Sequence, residues 1–393
     1  MIKSKAMPPP PLTDSLSLSI HDFAHIKAID LEFGDLTVLV GPQGAGKSLA
    51  LQWLKVAMDG RQLVKALNDA GHHTTKADVL VDLIFGTGMA SSWKEGESEV
   101  RINKKSITPR SISRLGDGSE KLFFVPAHRS MLISDGWAAP FQKLTSDTPA
   151  VARVFSQNLF DRFNSKNSGP LFPVPKRLKQ PIRDQIDTAV FHGGTVGIEE
   201  DHQHARRLRL MHGDVHLPFM TWTAGQREFT PLLLGLYHLL PSTKLRKRQE
   251  TDWVVLEEPE MGLHPQAITA IMLLVLDLLW RGYRVVLSTH SPHVLTMLWM
   301  MEQLKRHHAR WQLVCDAFDV PKKKDMRDIA EAALQKSYRA YLMQFDEEGK
   351  VTSMDISSLD PGAEDDRIAG WGGLTAYSSR FGEAVRNAVN EDA

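Results

Sequence analysis

The chain has 393 residues, of which 42% are hydrophobic and 24% are charged, as is usual for a folded globular protein. These proportions exclude a disordered chain, a collagen and a coiled-coil rod. The 47 basic and 47 acidic residues cancel, which argues against a globally basic nucleic-acid coat. The single cysteine, Cys315, cannot form an intrachain disulfide, so we expect a reducing, cytoplasmic location. The most apolar stretch, Ala267–Trp280, is too short for a membrane span, and we expect no membrane partner.

Apolar runs separated by turn residues predict an α/β fold with a mixed or parallel sheet, because predicted strands alternate with predicted helices. The predicted strands are Leu16–Ile20, Ile29–Phe33, Leu36–Val40, Val79–Phe85, Glu99–Asn103, Lys121–Val125, Trp253–Leu256 and Arg284–Ser288. The predicted helices are Lys47–Met58, Ala150–Phe163, Pro181–Phe191 and Pro265–Trp280. Near the C-terminus, Arg339–Phe345 and Lys350–Ile356 predict a hairpin.

The character of the sequence changes after Arg129. Residues 130–215 are rich in Pro, Asn, Gly and Asp, and we expect no buried strand among them. This pattern predicts a largely helical or irregular insertion at 130–215 between two lobes of one core, at 1–129 and 216–300. Residues 301–393 then form a small C-terminal extension, which is a candidate partner-binding region.

The strongest motif is Gly41-Pro42-Gln43-Gly44-Ala45-Gly46-Lys47-Ser48, which matches the phosphate-binding pattern G-x-x-x-x-G-K-S/T. A strand precedes it and a helix containing Leu49 follows it. Glycines allow backbone N–H groups to surround phosphate oxygens, and the N-terminus of the helix favours the same anion. Lys47 is expected to reach the β- and γ-phosphates, and Ser48 to hold Mg²⁺.

A second motif places two carboxylates at the end of the apolar run Trp253–Leu256. We expect Glu257 to hold the metal, and Glu258 to act as the general base that polarises the attacking water. His290 follows the next apolar run, Arg284–Ser288, where it can contact a γ-phosphate or that water.

Together these motifs resemble the ABC-type ATPases of the SMC/RecF/OLD-like branch. Gly41–Ser48 resembles Walker A, Val254–Glu258 resembles Walker B, and Glu260–Pro265 resembles the D-loop. Thr289–Ser291 resembles the H-loop, and Phe124–Arg129 resembles a sequence segment that these ATPases carry near the Q-loop. The segment containing Thr223, Gly225 and Gln226 resembles the signature motif, with Thr in place of the usual Ser. Glu257 stands where Walker B usually has Asp, and no Gln occupies the Q-loop.

The resemblance implies an enzyme that binds ATP with Mg²⁺ and hydrolyses it between two copies of the chain. The nucleotide would contact Walker A of one copy and the Thr223–Gln226 segment of the other. The family also implies a separate effector, such as a nuclease or a toxin. Small ATPases of two-gene anti-phage defence systems such as PARIS and Septu look similar in size and motif style, and genome maintenance is the related role.

Two other functions stay open. An OLD-like ATPase with its own nuclease domain, or a DNA repair protein, is the first, and a transporter nucleotide-binding subunit is the second. Nucleic acid is a further candidate partner because the chain has three basic clusters, although such clusters are more often solvated faces. The clusters are Arg206–Arg209, Lys244–Arg248 and Lys322–Lys324.

Overall fold

The computed structural model describes residues 16–165, 169–174, 177–200, 205–241, 247–248, 250–375, 380–381, 384 and 386. The strands are β1 Leu16–Phe23, β2 Ile26–Phe33, β3 Leu36–Val40, β4 Glu99–Ile102, β5 Lys105–Ile107, β6 Leu122–Val125, β7 Ile133–Ser134, β8 Trp137–Ala138, β9 Gly169–Phe172, β10 Thr195–Glu200, β11 Arg206–His212, β12 Val215–Pro218, β13 Trp253–Glu257, β14 Arg284–Ser288, β15 Tyr338–Phe345 and β16 Val351–Asp355. The helices are α1 Lys47–Asp69, α2 Ala77–Phe85, α3 Ala150–Ser165, α4 Gln180–Ile186, α5 Ala224–Leu236, α6 Pro265–Arg281, α7 Pro292–Arg306, α8 Trp311–Ala317, α9 Lys324–Ala333 and α10 Asp366–Ala369.

Ten strands form one mixed sheet in the order β5-β4-β1-β2-β16-β15-β3-β14-β13-β6. The four neighbours β3, β14, β13 and β6 are mutually parallel, whereas β1 pairs antiparallel with both β2 and β4. The predicted α/β fold with a mixed sheet is confirmed. Because parallel strands end at the same edge, the loops that follow β3, β14, β13 and β6 lie side by side.

Strand β13 shows how the sheet separates two cores. Val254 and Leu256 pack into the larger core together with residues of α5 and α6. Trp253 and Val255 pack into the second core with residues of α1 and α2. Alternate side chains of a strand point to opposite faces, and both faces of this strand are covered. Such strands are apolar throughout, which is why the sequence revealed them clearly.

The prediction of a strand at Val79–Phe85 is wrong, because this segment belongs to helix α2. Its buried residues include Leu80, Leu83 and Ile84, which lie on one face at the spacing of a helix. A short apolar run with two valines resembles a strand equally well, and the pattern alone cannot distinguish the two structures.

The prediction that residues 130–215 contain no buried strand is also wrong. Besides α3 and α4, this segment contains the strands β9, β10 and β11. Together with β12, which begins at the end of the segment and spans Val215–Pro218, they form a four-stranded antiparallel sheet. Val196 and Leu208 are fully buried, while alternate positions of the same strands carry charged residues. Strands with one polar face therefore escaped a search for continuous apolar runs. The lobe boundaries given above stay a prediction.

The predicted C-terminal hairpin is confirmed as β15 and β16. Both strands lie inside the ten-stranded sheet, where β15 pairs parallel with β3 and β16 pairs parallel with β2. Part of the 301–393 segment is therefore built into the core of the fold. Within the described part of the chain, none of the helices combines the length and the apolar character that a membrane span requires.

Candidate active site

The phosphate loop connects β3 to α1 and is shaped by glycines. Gly41 has φ 144°, and a Cβ there would lie 2.0 Å from the carbonyl oxygen of Met343 on β15, so only glycine fits. Gly44 and Gly46 have φ values of 75° and 71°, which a residue with a side chain rarely adopts. This backbone turns the loop back over the N-terminus of α1, where unpaired N–H groups attract anions.

Lys47 is the first residue of α1, and its side chain bends back into the loop. Its Nζ donates to the carbonyl oxygens of Gly41 and Pro42, each at 2.9 Å. Burial lowers the pKa of Lys47, while the carboxylates of Glu258, Glu260 and Glu257 act in the opposite direction. The ammonium group therefore lies within the loop and close to the acidic end of β13.

Ser48 and Glu257 are brought together, as the sequence predicts. The Ser48 hydroxyl lies close enough to the Glu257 carboxylate to act toward a lower pKa of Glu257, and the backbone N–H of Ala127 donates to Glu257 Oε2 at 3.1 Å. Burial raises the pKa of Glu257, whose surface is only 6% exposed. A hydroxyl and a buried carboxylate side by side are the hard oxygen donors that Mg²⁺ prefers, so these two residues fit that ion.

Glu258 and His290 form the second pair. His290 Nε2 lies 3.4 Å from Glu258 Oε1, and the two side chains are 29% and 30% exposed. Glu258 has φ 42° in the left-handed region, and its N–H donates to the carbonyl oxygen of Ser288 at 3.1 Å. This conformation is costly for a residue with a side chain, and such strain concentrates at functional sites. It turns the Glu258 carboxylate toward His290 and away from the end of β13.

Glu260 fixes the backbone that carries His290. Its Oε1 accepts hydrogen bonds from Thr289 Oγ1 at 2.6 Å and from the His290 N–H at 2.7 Å. The first residue of the D-loop segment thus holds the loop after β14. The sequence indicated this residue only through the family motif and gave no sign of its partners.

The structural role of Arg129, which ends the family-like segment Phe124–Arg129, is what the sequence analysis missed. Arg129 is fully buried, and its guanidinium donates to the carbonyl oxygens of Pro126, Glu257 and Glu228 at 3.0, 2.9 and 3.2 Å. Its Nε also lies 3.7 Å from Glu228 Oε2. One side chain therefore ties the loop after β6 to the end of β13 and to α5. The sequence does not reveal this role, because the partners of Arg129 are mostly backbone carbonyls.

The segment Thr223–Gln226 begins α5 and is held by its own contacts. Thr223 Oγ1 accepts from the Gln226 N–H at 3.2 Å, and the Gln226 side chain donates to the Val190 carbonyl oxygen at 2.9 Å. A Cβ at Gly225 would lie 2.9 Å from the carbonyl oxygen of Gly262, so α5 begins directly against the D-loop segment. Among the described residues, no hydrogen bond or ion pair joins Thr223–Gln226 to the phosphate loop.

One of the three basic clusters faces acidic residues across a strand pair. Arg206 and Arg207 lie on β11 opposite Glu200 and Glu199 of β10, so the charges balance across the strands. In the cluster Lys244–Arg248, residues 244–246 lie outside the described residues. A search of the described residues for three or more His, Cys, Asp or Glu side chains that could together hold a metal ion found none.

The fold and these paired side chains resemble those of nucleotide-binding proteins of the phosphate-loop class, and known proteins similar to this chain are of related kinds. Residues 139–296 match the family described as "AAA domain, putative AbiEii toxin, Type IV TA system". The Old nuclease of Escherichia phage P2 is 22% identical, with 71% of this chain and 57% of that protein covered. The DNA repair protein RecN of Vibrio cholerae is 33% identical, with 27% and 18% covered.

Solved structures also align over most of the chain. The SMC head domain from Thermotoga maritima has a TM-score of 0.38 and 12% identity, and covers 87% of this chain and 99% of its own. An SMC head bound to the C-terminal winged-helix domain of ScpA has a TM-score of 0.41 and 11% identity, and covers 86% and 96%. The resemblance of this chain to ABC-type ATPases of the SMC/RecF/OLD-like branch is confirmed. The chain spans about half the length of the Old nuclease and less than a fifth of RecN.

Proposed function

We propose that this chain binds ATP and hydrolyses it to ADP and phosphate. The observation that carries the proposal is the meeting of two pairs, Ser48 with Glu257 and Glu258 with His290, beside the phosphate loop. Lys47 and the loop N–H groups bind the phosphates. Glu258 accepts the proton of the attacking water, and His290 holds the Glu258 carboxylate in position. Ser48 and Glu257 would hold a Mg²⁺ ion, which would supply positive charge to stabilise the phosphate oxygens.

The proposal includes an ATP-dependent homodimer. Thr223 is exposed at the start of α5, and its segment has no hydrogen bond to the phosphate loop of the same chain, among the described residues. The family resemblance implies that this segment contacts the γ-phosphate bound by a neighbouring copy. We therefore expect two composite sites per dimer, each with Lys47 from one copy and Gly225 from the other.

The proposed biological role is to drive or regulate a separate effector, such as a nuclease or a toxin, in cytoplasmic anti-phage defence or genome maintenance. The similar proteins support a role in work on nucleic acid, since one is a nuclease and the other a DNA repair protein. The family model that matches residues 139–296 names a toxin system, which supports the defence setting.

An OLD-like ATPase that itself processes DNA is the second candidate, favoured by the similarity to the Old nuclease. Purified protein incubated with plasmid DNA and Mg²⁺ or Mn²⁺ distinguishes the two. Cleavage by the chain alone, retained after removal of co-purifying proteins, would favour the second candidate over a separate effector.

The direct test of the proposed activity is phosphate release from ATP by the purified chain. We expect turnover that requires Mg²⁺ and is lost in Lys47→Ala, because Lys47 carries the charge that faces the phosphates. Lys65→Ala is the matched control, since Lys65 lies exposed on the same helix α1. Equal turnover in Lys47→Ala and Lys65→Ala would reject the assignment of the phosphate loop.

A further inference from the structure

Three arginines surround the side chain of Tyr237, which follows the C-terminal end of α5. The Cζ atoms of Arg162 and Arg177 lie 5.4 and 5.3 Å from the centre of the Tyr237 ring. Arg183 on α4 is close enough for its charge to favour ionisation of the Tyr237 hydroxyl. The three arginines come from the end of α3, the segment before α4, and α4 itself.

This cluster of positive charge has no acidic partner among the described residues. Arg162 and Arg177 form no ion pair there, and burial together with the charge of Arg177 lowers the pKa of Arg162 to about 10. Grouped buried cations without a counter-ion are unfavourable, so an anion at this position would stabilise the folded chain.

Two buried hydrogen-bond donors in the cluster are unused. Within the described chain, Arg162 Nε and the Tyr237 hydroxyl have no hydrogen-bond partner, and Tyr237 is only 2% exposed. Arg177, by contrast, donates to the carbonyl oxygens of Tyr237 and Leu240 at 2.9 and 3.0 Å, which fixes its position. Buried donors in native proteins are nearly always paired, so these two indicate a missing acceptor.

We propose that Arg162, Arg177, Arg183 and Tyr237 bind a phosphate group. The planar guanidinium matches the oxygens of phosphate, and the Tyr237 hydroxyl adds a neutral donor. Arg162, Arg177 and Arg183 are each partly exposed, whereas Arg162 Nε and the Tyr237 hydroxyl are buried, so a ligand would approach from the exposed side of the arginines. Helix α5 has 13 residues, or about 20 Å, between this cluster and the Thr223 end, so the cluster is separate from the Thr223–Gln226 segment.

The phosphate could belong to a free phosphate compound or to a nucleic-acid backbone, and the experiment has one arm for each. Binding of pyrophosphate is measured by calorimetry and binding of a fluorescent DNA duplex by anisotropy, both in a Lys47→Ala background. We expect Arg162→Gln to weaken binding about tenfold, because a charge-assisted hydrogen bond is lost. Arg101→Gln, an exposed arginine on β4, is the control and should bind normally.

A loss with pyrophosphate alone assigns the site to free phosphate compounds, and a loss with duplex alone assigns it to a nucleic-acid backbone. Thermal unfolding of each variant shows that it is folded. Tyr237→Phe removes only the unpaired hydroxyl, so it keeps the test valid if Arg162→Gln fails to fold, and we expect severalfold weaker binding. Binding of neither probe by the background protein, or equal binding by the site variants and Arg101→Gln, would overturn the proposal.

Discussion

His290 Nε2 lies 3.4 Å from Glu258 Oε1, at the ends of the adjacent parallel strands β14 and β13. The histidine is therefore the protein's means of orienting the proposed general base. We expect His290→Ala to lower kcat by about tenfold to a hundredfold while ATP affinity changes little. Steady-state kinetics with a separate ATP titration checks this. His293→Ala, an exposed histidine on α7, is the control, and an equal loss in both variants would contradict the role of His290.

Arg129 is predicted to be essential for stability. Arg129→Met leaves four carbonyl oxygens without their buried donor and the Glu228 carboxylate without its ion-pair partner, which should cost about 3–5 kcal/mol of unfolding free energy. Chemical denaturation measures this cost, with Arg110→Met, at an exposed arginine, as the comparison. A loss below about 0.5 kcal/mol would show that the buried contacts contribute little.

Glu257 should make stability depend on pH. Burial raises the pKa of Glu257 in the folded chain above its unfolded value, so ionisation opposes folding. The free-energy cost of ionising Glu257 in the folded chain is absent below about pH 4.3, and it grows as the pH rises toward the pKa of Glu257 in the folded chain. Without Mg²⁺, Glu257→Gln should therefore be more stable than wild type at pH 7, with the difference disappearing near pH 4. Unfolding curves at both pH values check this, and a pH-independent difference would be inconsistent with the raised pKa.

Gly225 allows a test of active sites shared between two copies. A Cβ there would lie 2.9 Å from the Gly262 carbonyl oxygen, so Gly225→Asp should displace the start of α5 and add an unfavourable charge. Both Gly225→Asp and Lys47→Ala chains should be inactive alone. A mixed dimer carries one site with both defects and one with neither, so mixing should restore up to about half of the activity per mixed dimer.

The mixing experiment needs ATP binding measured beside turnover, because strict coupling between the two sites would hide rescue. Mixed dimers that form, bind no ATP and show no turnover would mean that Lys47 and Gly225 serve the same nucleotide. The shared-site mechanism would then be wrong for this chain.

The sequence predicted the central strands and the paired site residues because buried parallel strands are continuous apolar runs. Glu257 and His290 directly follow such runs, and parallel strands place those ends together. Prediction from the sequence failed where one face of a strand is polar, as in β10 and β11. It also failed where a short apolar run is compatible with both a strand and a helix, as in α2.

The contacts that side chains and glycines make with backbone carbonyl oxygens could not be predicted from the sequence. Arg129 binds carbonyl oxygens of residues distant in sequence, and Gly41 packs against the carbonyl of Met343 on a strand near the C-terminus. No residue type marks such partners, because every residue has a carbonyl oxygen. They become visible only when the order of the strands in the sheet is known.

Turnover and ATP affinity of Glu258→Gln, measured side by side, test the central claim most directly. The Gln side chain keeps the size of Glu258 and a hydrogen-bonding group facing His290, but it cannot accept the proton of the attacking water. We predict ATP binding like that of wild type and turnover reduced by about 10²-fold or more, with ATP-bound dimers accumulating. Wild-type turnover in Glu258→Gln would contradict the assignment of hydrolysis to this edge of the sheet.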